Sequence, residues 1–215
     1  MSQLEQTVSR YRSLRLSAAA DELINLLAEA EANEMSYLGF ADRLAEHELV
    51  QRQDKRIRRN RKMAAFPAEK RLEGFDYRHQ TTITKRQVNA LLDFQFIDER
   101  NNLVFIGPPG VGKTHLAIGI GYKAVEAGYR VLFRNALDLV EELELAEMKG
   151  ELKKRVSALA KYDLLIIDEL GYLPMTRQAR YNLFQLINSL YEYRSIILTT
   201  NKDFTSWGEF FHDDN

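Results

Sequence analysis

The residues from Gly107 to Thr114 have types and a spacing that suit the binding of phosphate groups. They fit the pattern G-x-x-x-x-G-K-[ST], and the apolar residues before them predict a buried strand that ends at Ile106. A helix with apolar residues at three- and four-residue steps is predicted from His115 to about Ala127. Glycines allow backbone N–H groups to turn toward phosphate oxygens, and a helix N-terminus adds partial positive charge. The sequence therefore predicts a strand–loop–helix unit that binds a nucleoside triphosphate.

Two side chains of this loop have separate expected roles. Lys113 would bring a positive charge to the β- and γ-phosphates, and the Thr114 hydroxyl would be a ligand for Mg²⁺. A glycine-rich turn that fits the pattern by chance is the alternative, and the flanking strand and helix weigh against it. The predicted nucleotide-binding residues are Gly107, Pro108, Pro109, Gly110, Val111, Gly112, Lys113, Thr114 and His115.

A pair of acidic residues follows a second apolar stretch. Leu164 to Ile167 predict a buried strand, and Asp168 and Glu169 come directly after it. Because a carboxylate at the end of a buried strand is costly unless it serves a cation, we expect Asp168 to hold Mg²⁺ together with Thr114. Glu169 would act as the general base on the attacking water. Two surface carboxylates at a strand end are the alternative, which the phosphate-binding pattern upstream makes less favourable.

Asn201 follows a further apolar stretch and adds an amide to the predicted site. At the tip of a neighbouring strand, this amide could orient the attacking water or contact the γ-phosphate. An asparagine in a turn at a strand end is common, so the pattern alone leaves both interpretations open. The predicted catalytic residues are Lys113, Asp168, Glu169 and Asn201.

A GTPase is the alternative nucleotide specificity. Asp168 to Gly171 fit the D-x-x-G pattern of that class, and Asn201-Lys202 begins its guanine-reading N-K-x-D. The fourth position of the second pattern is Phe204, so no carboxylate is present there to pair with the edge of guanine. ATP is therefore the predicted nucleotide, with Mg²⁺ as its cation.

The stretch from Gln51 to Lys62 is strongly basic although the whole chain has a net charge of only −1. It has a single acidic residue, Asp54, so pairing along the helix cannot neutralise it. A solvated helix face is one interpretation; a surface that binds the phosphate backbone of nucleic acid is the one we favour. The predicted DNA-binding residues are Arg52, Lys55, Arg56, Arg58, Arg59, Arg61 and Lys62.

The periodicity of apolar residues predicts two domains. Residues 1–78 read as helices, and residues 79–215 alternate strands with helices. Such alternation predicts an α/β fold with a parallel, doubly wound sheet and a ligand at the carboxyl ends of its strands. We expect a small helical domain for DNA or partner binding at 1–78 and an ATPase domain at 79–215.

Composition excludes several other classes of protein. The chain has no cysteine, which excludes disulfides and thiolate metal sites, and its four histidines lack the spacing of metal ligands. No apolar run approaches the length needed to cross a membrane, and no signal peptide is read at the N-terminus. A cytoplasmic protein without a membrane partner is expected.

With these motifs the chain resembles the IstB-like ATP-binding proteins, which are AAA+ helpers of insertion-sequence transposases. More distantly, it is similar to the bacterial replicative helicase loaders. The resemblance rests on the phosphate loop and on four further stretches, at residues 126–131, 168–174, 199–201 and 207–209. It implies an AAA+ P-loop NTPase domain with Asn201 as its first sensor. We expect the helical lid of such domains to be missing and the ATPase domain to be incomplete at its C-terminus.

This resemblance also implies a function. The family implies an Mg²⁺-dependent ATPase that assembles as an oligomer on double-stranded target DNA and recruits and stimulates a cognate transposase in DNA transposition. The alternative is a nucleotide-gated adaptor in DNA replication, similar to a helicase loader, whose helical domain docks another protein. The basic stretch distinguishes them, because only the first function requires it to bind DNA.

Overall fold

The computed structural model describes residues 2–78, 82–171 and 175–203. The chain divides into two compact units, Met1–Arg59 and Asn60–Asn215. Within the described residues, no helix has the length and apolar character needed to span a membrane.

The first unit is helical, as predicted. Its elements are α1 (Gln3–Ser13), α2 (Ser17–Ala32) and α3 (Tyr37–Ala64), the last of which continues into the second unit. Serine favours the N-cap position, so Ser36 predicts the start of the long helix, and its Oγ accepts a hydrogen bond from Gly39 N at 3.1 Å. The core is small and consists of residues on α2: Ala18, Ala19, Ala20, Leu23 and Leu26.

A buried carboxylate joins two helices of this unit. The start of α2 has no side-chain cap, and Glu48 Oε2 of α3 accepts a hydrogen bond there from Ala19 N at 2.8 Å. The other carboxylate oxygen accepts from Arg52 Nε at 2.7 Å. Burial alone would raise the pKa of Glu48, but these bonds and the Arg52 charge lower it below its ordinary value. Glu48 therefore replaces a local cap with a contact across the unit.

The second unit contains a four-stranded parallel sheet in the order β1-β4-β3-β2. Its strands are β1 (Leu103–Ile106), β2 (Val131–Asn135), β3 (Leu164–Leu170) and β4 (Ser195–Thr200). Its helices after α3 are α4 (Lys85–Ala90), α5 (Gln95–Asp98), α6 (Lys113–Glu126), α7 (Ala136–Met148), α8 (Leu152–Leu159) and α9 (Arg177–Leu190). Leu165 and Ile167 of β3 pack with α7, α8 and α9, whereas Ile166 lies against Gly121 of α6. Helices therefore cover both faces, which confirms the predicted doubly wound α/β sheet.

The register of the strands brings their carboxyl ends together. Asn135 of β2 is opposite Asp168 of β3, and Ile106 of β1 is opposite Thr200 of β4. The pairing of β3 with β4 shifts between Ile167 and Leu170, which is a local bulge at the acidic pair. The phosphate-binding loop leaves β1 at this same edge.

Two predicted helices differ from the structure. Pro67 suits the first turn of a helix, so the sequence predicts a short helix that ends near Gly74; the structure has only a 3₁₀ turn at Leu72–Gly74. As a helix-capping residue, Thr84 predicts a second helix that continues through Phe96. In the structure this helix is broken, because a 3₁₀ turn at Leu91–Asp93 separates α4 from α5 and Phe94 has a φ of +61°.

The domain boundary also differs from the prediction. We expected it after Arg78, whereas the division in the structure follows Arg59. The reason is tertiary packing, since residues 66–77 lie against α6 of the second unit through Phe66, Leu72 and Phe75. A boundary predicted from the sequence cannot take such tertiary contacts into account.

Candidate nucleotide-binding site

The loop between β1 and α6 has the open backbone that phosphate binding requires. Gly110 and Gly112 have φ angles of +85° and +91°, which favour glycine. A Cβ atom at Gly110 would meet nothing within 4 Å. Gly112 precedes α6 and provides no side-chain cap, so the first amides of the helix are open to a ligand.

Lys113 lies over this loop. Its Nζ donates hydrogen bonds to Gly107 O at 2.7 Å and to Pro108 O at 2.9 Å. Burial lowers the pKa of Lys113 below its ordinary value, while the charges of Asp168 and Glu169 oppose that shift. Both hydrogen-bond acceptors are neutral carbonyls, and negatively charged phosphate oxygens would bind the ammonium group more strongly in their place.

Asp168 is the buried acid of the site, with only 4% of its surface exposed. Its Oδ1 accepts hydrogen bonds from Thr114 Oγ1 at 2.9 Å and from Thr199 Oγ1 at 2.5 Å. The structure thus brings together the two residues predicted to hold Mg²⁺. Thr199 was not assigned a role from the sequence, although it is a hydroxyl residue near the end of a strand that neighbours β3.

Glu169 is exposed and has an unusual backbone. Its φ is +63°, and its N–H donates to Thr199 Oγ1 at 2.9 Å, so the bulge turns this carboxylate away from the buried side of β3. The carboxylate Oε2 accepts a hydrogen bond from Asn135 Nδ2 at 2.9 Å.

Asn135 is a second site residue that the sequence did not predict. It ends β2, and its Oδ1 also accepts from Leu137 N at 3.0 Å as the N-cap of α7. The signal that could have identified it is a polar residue at the end of a predicted strand, between that strand and a helix. A parallel sheet brings such a residue to the same edge as the acidic pair.

Two other predicted residues have clear positions. Asn201 is exposed and directly follows β4, and the preceding residue, Thr200, accepts a hydrogen bond from Gly107 N at 3.2 Å. His115 Nε2 donates to Arg71 O at 2.8 Å, so its ring contacts the chain preceding the sheet. Its backbone remains in the first turn of α6, where the motif places it.

The donor set fits a magnesium nucleotide rather than a metal held by protein alone. In the described part of the chain, no group of three or more histidine, cysteine or acidic side chains could hold a metal. His79 and His212 lie outside the described residues. Mg²⁺ is commonly bound by one or two protein oxygens together with substrate phosphates, and Thr114 with Asp168 provides such a pair beside an open cradle.

The seven predicted DNA-binding residues are all exposed, but two of them make contacts within the protein. Arg52 pairs with Glu48 and donates to Arg15 O at 2.6 Å. Arg61 pairs with Glu69 at 3.2 Å and lies over the ring of Tyr122. The other five have no ion-pair partner among residues 2–78, 82–171 and 175–203: Lys55, Arg56, Arg58, Arg59 and Lys62.

Comparisons with known proteins agree with this geometry. Residues 9–215 match the family model described as IstB-like ATP binding protein. The insertion sequence IS5376 ATP-binding protein of Geobacillus stearothermophilus is 40% identical over 200 residues, which are 93% of this chain and 80% of that protein. The corresponding IS21 protein of Pseudomonas aeruginosa is 39% identical over 213 residues, 99% of this chain and 79% of that protein.

A solved structure supports the fold. AMPPCP-bound DnaA from Aquifex aeolicus superposes with a TM-score of 0.54 at 25% sequence identity, covering 64% of this chain and 43% of that one. The sheet, the loop and the acidic pair have the arrangement of an AAA+ P-loop NTPase. The family match extends over nearly the whole sequence. The chain therefore belongs to the IstB-like ATP-binding protein family.

Proposed function

We propose that this protein is an ATP-dependent regulator of DNA transposition, which assembles on double-stranded target DNA and recruits and stimulates its cognate transposase. The observation that supports this most directly is the contact of Thr114 with the buried Asp168, beside Lys113, in a chain of an insertion-sequence family. The chain thus combines a candidate nucleotide-binding site with membership of a family whose relatives are proteins of insertion sequences.

In this proposal each site residue has a defined task. The loop amides and Lys113 bind the phosphates, and Thr114 with Asp168 holds Mg²⁺. The cation, when bound, neutralises charge that develops on the β- and γ-phosphates. Glu169 accepts a proton from the attacking water, and the hydrogen bond from Asn135 fixes the orientation of its carboxylate. Asn201 orients the water or contacts the γ-phosphate.

Five exposed cations carry the DNA-binding part of the proposal. Lys55, Arg56 and Arg59 recur at three- and four-residue steps and so share one side of α3. Each phosphate contact releases counterions, so binding should depend steeply on salt and little on sequence. Arg52 and Arg61 contribute less, because their guanidinium groups are already bonded within the protein.

Sedimentation tests the proposal as a whole. Glu169→Gln should retain ATP binding, lose hydrolysis and form an assembly that persists with ATP and a short duplex, measured by analytical ultracentrifugation across a salt series. Wild-type protein should form the same assembly only while ATP remains. Normal ATP turnover by Glu169→Gln, or no increase in mass with both ligands, would contradict the proposal.

A nucleotide-gated protein adaptor remains the second candidate, because the first unit exposes apolar side chains. Tyr37, Leu38 and Leu49 of α3 are 98%, 80% and 67% exposed. A contiguous apolar surface is what the docking of another protein requires, and these side chains are candidates for it. In that case Leu38→Glu with Leu49→Glu should abolish binding of a purified transposase or replicative helicase, while the affinity for duplex DNA stays unchanged.

A further inference from the structure

The segment between α3 and α4 runs along the helix that begins at the phosphate loop. We call residues 66–77 the linker segment. At one end, Phe66 stacks on Tyr122 of α6 with ring centroids 4.4 Å apart. A Cβ atom at Gly121 would lie 2.9 Å from Phe66 Cε1, so a glycine permits this close approach.

Further contacts lie along α6 on both sides of this ring stack. A Cβ atom at Gly119 would lie 2.5 Å from Leu72 Cδ2, and Leu72 is buried. Glu73 pairs with Lys123 at 2.8 Å. Together with the bond from His115 to the Arg71 carbonyl, these contacts hold the linker segment along the length of α6.

Phe75 ends this series at the phosphate loop itself. A Cβ atom at Gly112 would lie 2.5 Å from Phe75 Cε2 and 3.0 Å from Cζ, so the phenyl ring rests on the glycine backbone. The ring is also 5.3 Å from that of His115 and 4.7 Å from that of Tyr77, both nearly edge-on. Gly112 directly precedes Lys113, so this ring packs on the residue that sets the lysine's position.

This contact matters because a glycine-rich loop has many conformations. Gly110 and Gly112 both have positive φ, and free glycines also populate negative φ readily. A ring packed on Gly112 removes conformations in which the residue moves outward. If only a fraction of molecules has the binding-competent loop, the apparent affinity falls by that fraction.

We propose that Phe75 is a positioning residue, which holds Gly112 and so keeps the loop in the conformation that binds phosphate. The inference rests on the proposed nucleotide binding and deepens it. It predicts that loss of the ring weakens the binding of every ligand that uses the loop amides. The factor should be the same whatever base the ligand carries.

Two ligands test this prediction. Isothermal titration of the full chain with Mg²⁺-ATP and with inorganic tripolyphosphate should show both binding about tenfold more weakly to Phe75→Ala. Phe75→Leu, which keeps an apolar contact with Gly112, should recover most of the affinity. If Phe75→Ala lowered the affinity for ATP but left the affinity for tripolyphosphate unchanged, the proposal would be overturned, and the ring would instead be assigned to binding of the nucleoside. Unchanged affinity for both would also overturn it.

A matched control separates positioning from general destabilisation. Phe66→Ala removes an aromatic ring from the same segment at the other end of α6, so it should lower the melting temperature while phosphate affinity stays within about twofold. Affinities are compared below both melting temperatures, and Phe75→Leu provides the comparison if Phe75→Ala does not fold. Equal losses of affinity in both alanine variants would contradict the proposal. If the wild-type protein bound tripolyphosphate but not ATP, the proposed function would be refuted, whereas the role of Phe75 in positioning the loop would not.

Discussion

The nucleotide site and the basic segment of α3 are organised in opposite ways. At the site, Asp168 is buried and bonded to two hydroxyls, and Glu169 is held by Asn135. In the basic segment, the five cations from Lys55 to Lys62 that lack ion-pair partners among the described residues are exposed. Each of these site residues is therefore fixed by specific hydrogen bonds, whereas we expect the exposed cations to act through their summed charge. Single substitutions should separate the two regions.

The largest effect is expected from Asp168→Asn. Loss of the carboxylate that would hold Mg²⁺ should lower Mg²⁺-dependent ATP turnover by about 1,000-fold, measured as phosphate release with saturating duplex DNA. Asp163→Asn is the matched control, because Asp163 precedes the same strand and pairs with Arg130 at 2.8 Å. It should cost stability and leave turnover intact. Equal turnover in the two variants would remove Asp168 from the site.

A group reversal of charge should have the next largest effect. Lys55→Glu, Arg56→Glu and Arg59→Glu together should lower the affinity for duplex DNA by at least about 100-fold in low salt, with ATP affinity unchanged. Fluorescence anisotropy with a labelled duplex measures the first quantity.

The control applies the same charge change elsewhere. Lys149, Lys153 and Lys154 form a second exposed basic cluster around the start of α8. Their reversal to Glu should have a much smaller effect on DNA affinity. The opposite ranking would assign DNA binding to α8 and contradict our choice of α3.

Single neutral substitutions sharpen the comparison within α3. Arg59→Gln should weaken duplex binding by about threefold and reduce the slope of log affinity against log salt by about 1. Arg52→Gln should leave DNA affinity almost unchanged but lower the free energy of unfolding by about 1 kcal/mol, because Arg52 bonds Glu48 and is half exposed. Urea denaturation measures the second effect. If Arg52→Gln lost more DNA affinity than Arg59→Gln, the hydrogen bond to Glu48 would not keep the Arg52 side chain from binding DNA.

The smallest effect concerns pH. The pKa of Glu48 is lowered in the folded chain from its ordinary value of 4.5, so its ionised form stabilises the fold above that pH. This contribution is lost as pH falls through the lowered pKa. The difference in unfolding free energy between wild type and Glu48→Gln should therefore be largest at neutral pH and shrink below pH 4.5. A difference that stays constant with pH would contradict this role.

The sequence predicted what depends on local pattern and order. Strand–loop–helix periodicity located Lys113 and Thr114, and an apolar run before two acids located Asp168 and Glu169. The structure brings Thr114 and Asp168 into contact, and the family match supports the fold. The catalytic roles and the DNA contacts stay predictions.

What the sequence did not predict depends on contacts between distant residues. Asn135 and Thr199 reach the acidic pair only because their strands flank β3. Arg61 looks like its neighbours in the sequence, and only its contacts with Glu69 and Tyr122 show that its charge is engaged. The pair of Arg52 with Glu48 has the i,i+4 spacing of a helix, whereas the bond of Arg52 to the distant Arg15 carbonyl does not follow from spacing. The sequence also predicts an aromatic cluster around Trp207 and a loop that includes Tyr172, and both lie outside the described residues.

The left-handed backbone of Glu169 has a consequence for the stability of the protein. A residue with a side chain is less stable in this conformation than glycine by about 1 kcal/mol or more. Glu169→Gly would relieve that strain and at the same time delete the proposed base. Natural selection for activity would then keep a glutamate at residue 169, although glycine there would make the fold more stable. Stability and ATP turnover would thus oppose each other at a single residue.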